Sequence, residues 1–98
     1  MPSWCSIIEY REFYDVPRMV LFEWNGDRYL IDCPFDDLKE DYADDYGVYL
    51  LGRNVVVSAD WTGMSLEGKA VGRVSVSPKL FDETRQKFID ASFLEGMS

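Results

Sequence analysis

Six carboxylates, Asp36, Asp37, Glu40, Asp41, Asp44 and Asp45, crowd into ten residues with Lys39 the single opposing charge. Two chemistries use such a cluster: ligation of a hard cation, and electrostatic docking of a basic surface. The spacing disfavours the first. A calcium loop takes acid or amide at its first, third and fifth positions, glycine at the sixth and glutamate at the twelfth. Starting at Asp41 places Ala43 third, and starting at Asp37 places Lys39 there, so no metal and no other cofactor is expected. Docking suits the segment better. Tyr42, with Tyr46 and Tyr49 close by, adds the aromatic contacts that interface centres favour. The expected partner-binding residues are therefore Asp36, Asp37, Glu40, Asp41, Tyr42, Asp44 and Asp45. The competing reading is a solvated face that only keeps the chain in solution.

Other constellations carry less. Asp15-Val16-Pro17-Arg18 and Asp32-Cys33-Pro34-Phe35 repeat an Asp-X-Pro pattern. If they meet in space, Arg18 can pair with Asp15, Asp32 or Asp36 and organise two turns. The alternative is a pocket in which paired carboxylates do acid–base work. Gly63-Met64-Ser65-Leu66-Glu67-Gly68-Lys69 matches GxxxxGK, but Ala70 stands where a magnesium-holding Ser or Thr belongs, and an alternating strand follows instead of a helix. Nucleotide binding is rejected on that ground. There is no histidine, so a Ser-His-Asp or Cys-His centre cannot be assembled within the chain. Cys5 and Cys33 are too few for a structural zinc site. They are read as free thiols, without an evident cationic neighbour, and a disulfide would need an oxidising compartment that no feature of the sequence directs the chain to. A cytoplasmic location is expected.

Charge and composition exclude whole classes. The 98 residues carry 10 Lys+Arg against 18 Asp+Glu, a net charge of −8, which opposes direct contact with nucleic acid or anionic membrane. Six of the basic residues follow Gly52, where six acids cancel them. No apolar run nears the roughly 20 residues needed to cross a bilayer. A hydrophobic fraction of 47% with 15% aromatics is enough for one core and excludes wholesale disorder. One domain, 1–98, is expected, with 1–5 as a flexible arm anchored by Trp4.

The elements that must position these residues follow from periodicity. Asn25-Gly26, between two apolar runs, predicts a hairpin with a two-residue type I′ turn. That turn fixes the pairs Trp24–Asp27, Glu23–Arg28, Phe22–Tyr29, Leu21–Leu30 and Val20–Ile31. Apolar side chains on both faces make it a central pair of strands. Ser6 to Tyr14 reads as a strand of imperfect alternation, Ile8 and Tyr10 against Ile7, Glu9, Arg11 and Phe13. Phe35, Leu38 and Tyr42 at i, i+3 and i+7 predict a short acidic helix capped by Asp37. Its like-charge pairs at i,i+4 cost roughly 0.2–0.5 kcal/mol each, which helix stability alone would not select. Tyr46–Leu51, Val55–Val57 and Lys69–Ser77 read as strands, Asp60–Gly68 as a loop anchored by Trp61 and Leu66, and 82–94 as a C-terminal helix. The expected fold is α+β and β-rich: a curled antiparallel sheet of five or six strands, SH3-like or a partly open barrel, with one short acidic helix and a C-terminal helix.

Small size, acidity and the lack of histidine resemble the profile of immunity proteins, antitoxins and other inhibitors of basic enzymes. The resemblance is one of composition, and it implies a non-catalytic module whose partner is a basic protein. Self-association through a sheet edge or exposed aromatics, giving a homo-oligomer, is the alternative. A small carboxylate-dependent enzyme is the third reading, and it requires a concave pocket with two converging acids.

Overall fold

Asn25 and Gly26 both take positive φ, 52° and 85°, as a type I′ turn requires. The register follows from that turn. Trp24 faces Asp27, Glu23 faces Arg28, Phe22 faces Tyr29, Leu21 faces Leu30 and Val20 faces Ile31, the five pairs that the sequence specifies. A computed structural model describes residues 3–53 and 60–97. Its strands are β1 (Trp4–Tyr14), β2 (Val16–Trp24), β3 (Asp27–Asp32), β4 (Phe35–Asp36), β5 (Asp41–Tyr42), β6 (Asp45–Gly52), β7 (Lys69–Ser75) and β8 (Phe88–Asp90). Six of them form one sheet in the order β7-β6-β3-β2-β1-β8, with every neighbouring pair antiparallel. β4 and β5 pair separately as a miniature hairpin. The β2–β3 hairpin occupies the middle of the sheet, as its two apolar faces demand.

Each face has its own core. The inner one gathers Val20, Phe22, Ile31, Tyr46, Val48 and Ile89, and a 3₁₀ helix over Ala91–Gly96 closes it with Ala91 and Leu94. The outer one packs Leu21 and Leu30 beneath helix α1 (Trp61–Glu67), which contributes Trp61 and Met64. The loop expected over 60–68 is therefore mostly helix. Seven residues give fewer than two turns, too short for periodicity to register, and the inward residues Trp61 and Met64 are simply i and i+3. The Asp60 carboxylate accepts from the Gly63 amide at 2.9 Å, a working N-cap. Trp61 anchors as expected, whereas Leu66 is exposed. Gly63, the first glycine of the GxxxxGK match, lies inside the helix with its amide already committed, so the segment forms no phosphate cradle.

Other expectations shift for identifiable reasons. A bulge between Ile7 and Glu9 changes the phase of β1. Ile7 and Tyr10 consequently both pack against the inner core, and Ile8 is left outside. Trp4 and Cys5, expected in a loose arm, belong to β1 and pair with Asp90 and Ile89. The C-terminal helix expected over 82–94 is replaced by a turn, β8 and the 3₁₀ helix. Asp82 accepts hydrogen bonds from the Thr84 hydroxyl and from the amides of Thr84, Lys87 and Phe88. One carboxylate thus offers the backbone an alternative to helix. Those donors, the Thr84 hydroxyl foremost, hold its pKa far below the ordinary carboxylate range. The strand expected at Val55–Val57 lies outside the described residues. Among the described residues no helix is long and apolar enough to cross a membrane.

Candidate functional site

The acidic segment is not helical. Phe35 pairs with Tyr42 and Asp36 with Asp41 across the β4–β5 hairpin, and Glu40 holds φ at 55°, which ends any helix there. The Asp36 carboxylate accepts from the amides of Leu38 (3.0 Å) and Lys39 (3.4 Å), an Asx turn that captures donors a helix would have used. The i,i+4 repulsions of the helical alternative disappear, and a single like-charge pair, Asp36 opposite Asp41, replaces them.

The seven expected contact residues divide. Asp36, Asp37, Glu40 and Asp41 surround the hairpin tip, all but half-buried Asp36 exposed. Asp41 also accepts from the Tyr42 amide at 2.7 Å. Asp44 forms an ion pair with Lys39 at 3.2 Å, with its carboxylate still largely in water. Tyr42 turns inward. Its ring packs edge-on against Phe35, lies 5.8 Å from the Tyr14 ring, and carries the Arg18 guanidinium at 4.5 Å. Tyr46 is wholly buried and donates its hydroxyl to the Pro17 carbonyl at 2.6 Å. Neither tyrosine therefore serves as the exposed aromatic contact. That position belongs to Phe35, 53% exposed, and to Leu38, 98% exposed. Reading Phe35, Leu38 and Tyr42 as one inward helical stripe hid these two residues. The clashing like charges of that helix were the available signal against it.

The two Asp-X-Pro elements do meet, because Arg18 and Cys33 join through a 2.7 Å backbone hydrogen bond. Arg18 is nevertheless not an ion-pair partner: among the described residues it salt-bridges no carboxylate. It donates instead to the Tyr14 carbonyl at 3.1 Å and to Cys33 Sγ at 3.6 Å. Cys33 thus has a cationic neighbour, absent at close spacing along the chain but placed opposite it by the hairpin register. Burial still outweighs it and pushes the Cys33 thiol up. Cys5 is raised as well, by burial and then by Asp90. Both cysteines are free, and both shifts favour thiol over thiolate.

Asp45 leaves the acidic group altogether. It begins β6 and lines a cleft of about 180 Å³ with Asp32, Pro34, Gly47, Tyr49 and Arg73. Pairing explains the set: Asp32 faces Gly47, and Gly47 faces Arg73, so the three form one row across β3, β6 and β7. Asp45 and Tyr49, two residues either side of Gly47, share its face. This is the outer face, beyond the part that α1 covers. Burial raises the Asp32 pKa, and Glu12 adds to the rise. Among the described residues no group of three His, Cys, Asp or Glu could hold a metal. A larger hollow of about 400 Å³ opens at the far end of the inner core, between Trp24, Tyr29, Leu50, Val71 and Met97, with Lys69 at its edge.

The Asp32 shift has a sign that can be measured. A carboxyl whose folded pKa exceeds its ordinary value of 3.8 favours folding when protonated and loses that contribution as pH rises through the folded value. Glu12 on β1 is the charge that acts on it, and Asp45 and Tyr49 on β6 and Arg73 on β7 share its cleft. Asp32→Asn is expected to melt higher than the parent at pH 7, with the difference shrinking toward zero below pH 3.8. Thermal melts of both proteins across pH 3–7 check this, and a variant less stable at pH 7 contradicts it. Comparison of the chain with protein-family models, with curated proteins and with solved structures finds no match.

Proposed function

We propose that the chain is a non-catalytic interaction module whose β4–β5 hairpin docks a basic protein partner. The observation that carries this reading is Leu38, 98% exposed at the hairpin tip beside Phe35 and ringed by Asp36, Asp37, Glu40 and Asp41. An apolar centre within a charged rim is the general anatomy of a protein interface. The anionic rim speeds encounter with a cationic surface and rejects an acidic one, while the apolar tip supplies desolvation energy once contact is made. Leu38 buries almost no area within the chain, which leaves its whole side chain available to a partner. We also read the curled sheet as a partly open, SH3-like barrel. The reading is supported by the C-terminal segment, which runs from β8 to the opposite edge strand, where Met97 lies over Gly72.

Two variants separate charge from apolar contact. The first neutralises Asp36, Asp37, Glu40 and Asp41 together, and the second is Leu38→Ser. Both are expected to release the same basic protein in capture from native lysate, the first by slowing association and abolishing its salt dependence. The second is expected to accelerate dissociation by about tenfold or more. Retention of that protein by both variants overturns the reading.

A further inference from the structure

The cleft of Asp32, Asp45, Gly47, Tyr49 and Arg73 stands apart from the hairpin tip and holds unmatched polar groups of both signs. Among the described residues the Arg73 guanidinium pairs with no carboxylate, and Asp32 and Asp45 pair with no cation. Of the side-chain hydrogen bonds among those residues, none engages Asp32, Asp45, Arg73 or the Tyr49 hydroxyl. Asp32 is half-buried in this state, although a desolvated carboxylate ordinarily needs a partner. Gly47 lets the Tyr49 phenol lie against the strand at the cleft wall. A side chain there would run into the Tyr49 phenol, whose hydroxyl lies 3.0 Å from the position of a Cβ.

The charges select the ligand class. Asp32 and Asp45 line the cleft together with Arg73, and a small molecule with opposite charges at its two ends complements that set. At about 30 Å³ per water, the 180 Å³ cleft holds about six waters, the room taken by a ligand of a few heavy atoms. We propose that this cleft binds a small free amino acid as its zwitterion. The ammonium sits between Asp32 and Asp45, and the carboxylate rests on the Arg73 guanidinium and the Tyr49 hydroxyl. Each charged end then makes a charge-assisted hydrogen bond, and the half-buried Asp32 gains the cation that the chain itself withholds. A simple amine or a simple acid satisfies only half of the site.

Amide chemical-shift titration of the full chain tests this with three probes: L-alanine, methylammonium and acetate. L-alanine is expected to produce saturable shifts at Gly47, Tyr49 and Arg73. Each half-probe should bind at least about tenfold more weakly. Asp32→Asn and Arg73→Met, checked for folding by circular dichroism, should each weaken L-alanine by at least about tenfold. Gly47→Val should abolish the shifts. The proposal is overturned by the absence of saturable shifts with L-alanine, by equal binding of acetate alone, or by L-alanine affinity unchanged in Arg73→Met.

Discussion

Phe22→Ala is expected to remove about 3–5 kcal/mol of folding stability, the range for deleting a buried aromatic ring. Phe22 is fully buried at the centre of the sheet. Its ring stacks on Tyr29 at 5.8 Å and meets Phe93 edge-on at 6.4 Å. It therefore ties the central strand pair to the C-terminal 3₁₀ segment, and its loss leaves a cavity that β2 and β3, each hydrogen-bonded on both sides, cannot collapse to fill. Domains of this size have about 5–15 kcal/mol to lose. The urea midpoint should fall by more than about 1 M, while Leu38→Ala, at a fully exposed position, should change stability by no more than about 0.5 kcal/mol. A Phe22→Ala midpoint within about 0.3 M of the parent would show that this ring does not organise the inner core.

Arg18→Ala is the second large effect, expected at about 2–4 kcal/mol from one charge-assisted hydrogen bond and the stacking on Tyr42. Arg18 is a buried cation that replaces ion pairing with the Tyr14 carbonyl, the Cys33 sulfur and two tyrosine rings. Its removal acts on the β4–β5 hairpin, because Tyr42 is the ring by which that hairpin leans on the sheet. Hydrogen exchange should accelerate at the Ala43 amide, which bonds the Pro34 carbonyl across the hairpin base at 2.8 Å. Protection of the Val20 and Ile31 amides should fall only by the global loss. Arg18→Lys keeps the charge but loses the planar fork that stacks on a ring, so it should recover less than half of the lost stability. Unaltered exchange at Ala43 in Arg18→Ala would mean that the hairpin is held by other contacts. Under the proposed docking role, a loosened hairpin binds its partner more weakly because the partner must order it first.

Local chemistry alone determined the middle of this protein. Asn25-Gly26 can hardly form anything but a type I′ turn between apolar runs, and a two-residue loop leaves one register, so the β2–β3 pairs and their central position were legible. Strands β6 and β7 were legible for a similar reason, because period-two alternation is a local signal. The absence of histidine settled equally early which catalytic centres the chain cannot build. Tertiary structure decided the rest wherever a side chain had to choose between partners at similar spacing. Phe35, Leu38 and Tyr42 fit a helical stripe, but the Asp36 carboxylate took the amides that the helix needed and Arg18, from a distant strand, claimed Tyr42. Asp82 made the same choice against a C-terminal helix. Trp61 and Met64 read as loop until Leu21 and Leu30 gave them a surface to cover. The Asp32–Gly47–Arg73 row was invisible along the chain, since its members come from three strands and are neighbours only through sheet pairing. Hydrogen-bond competition and cross-strand contact depend on what arrives from far along the sequence, and no local pattern encodes that.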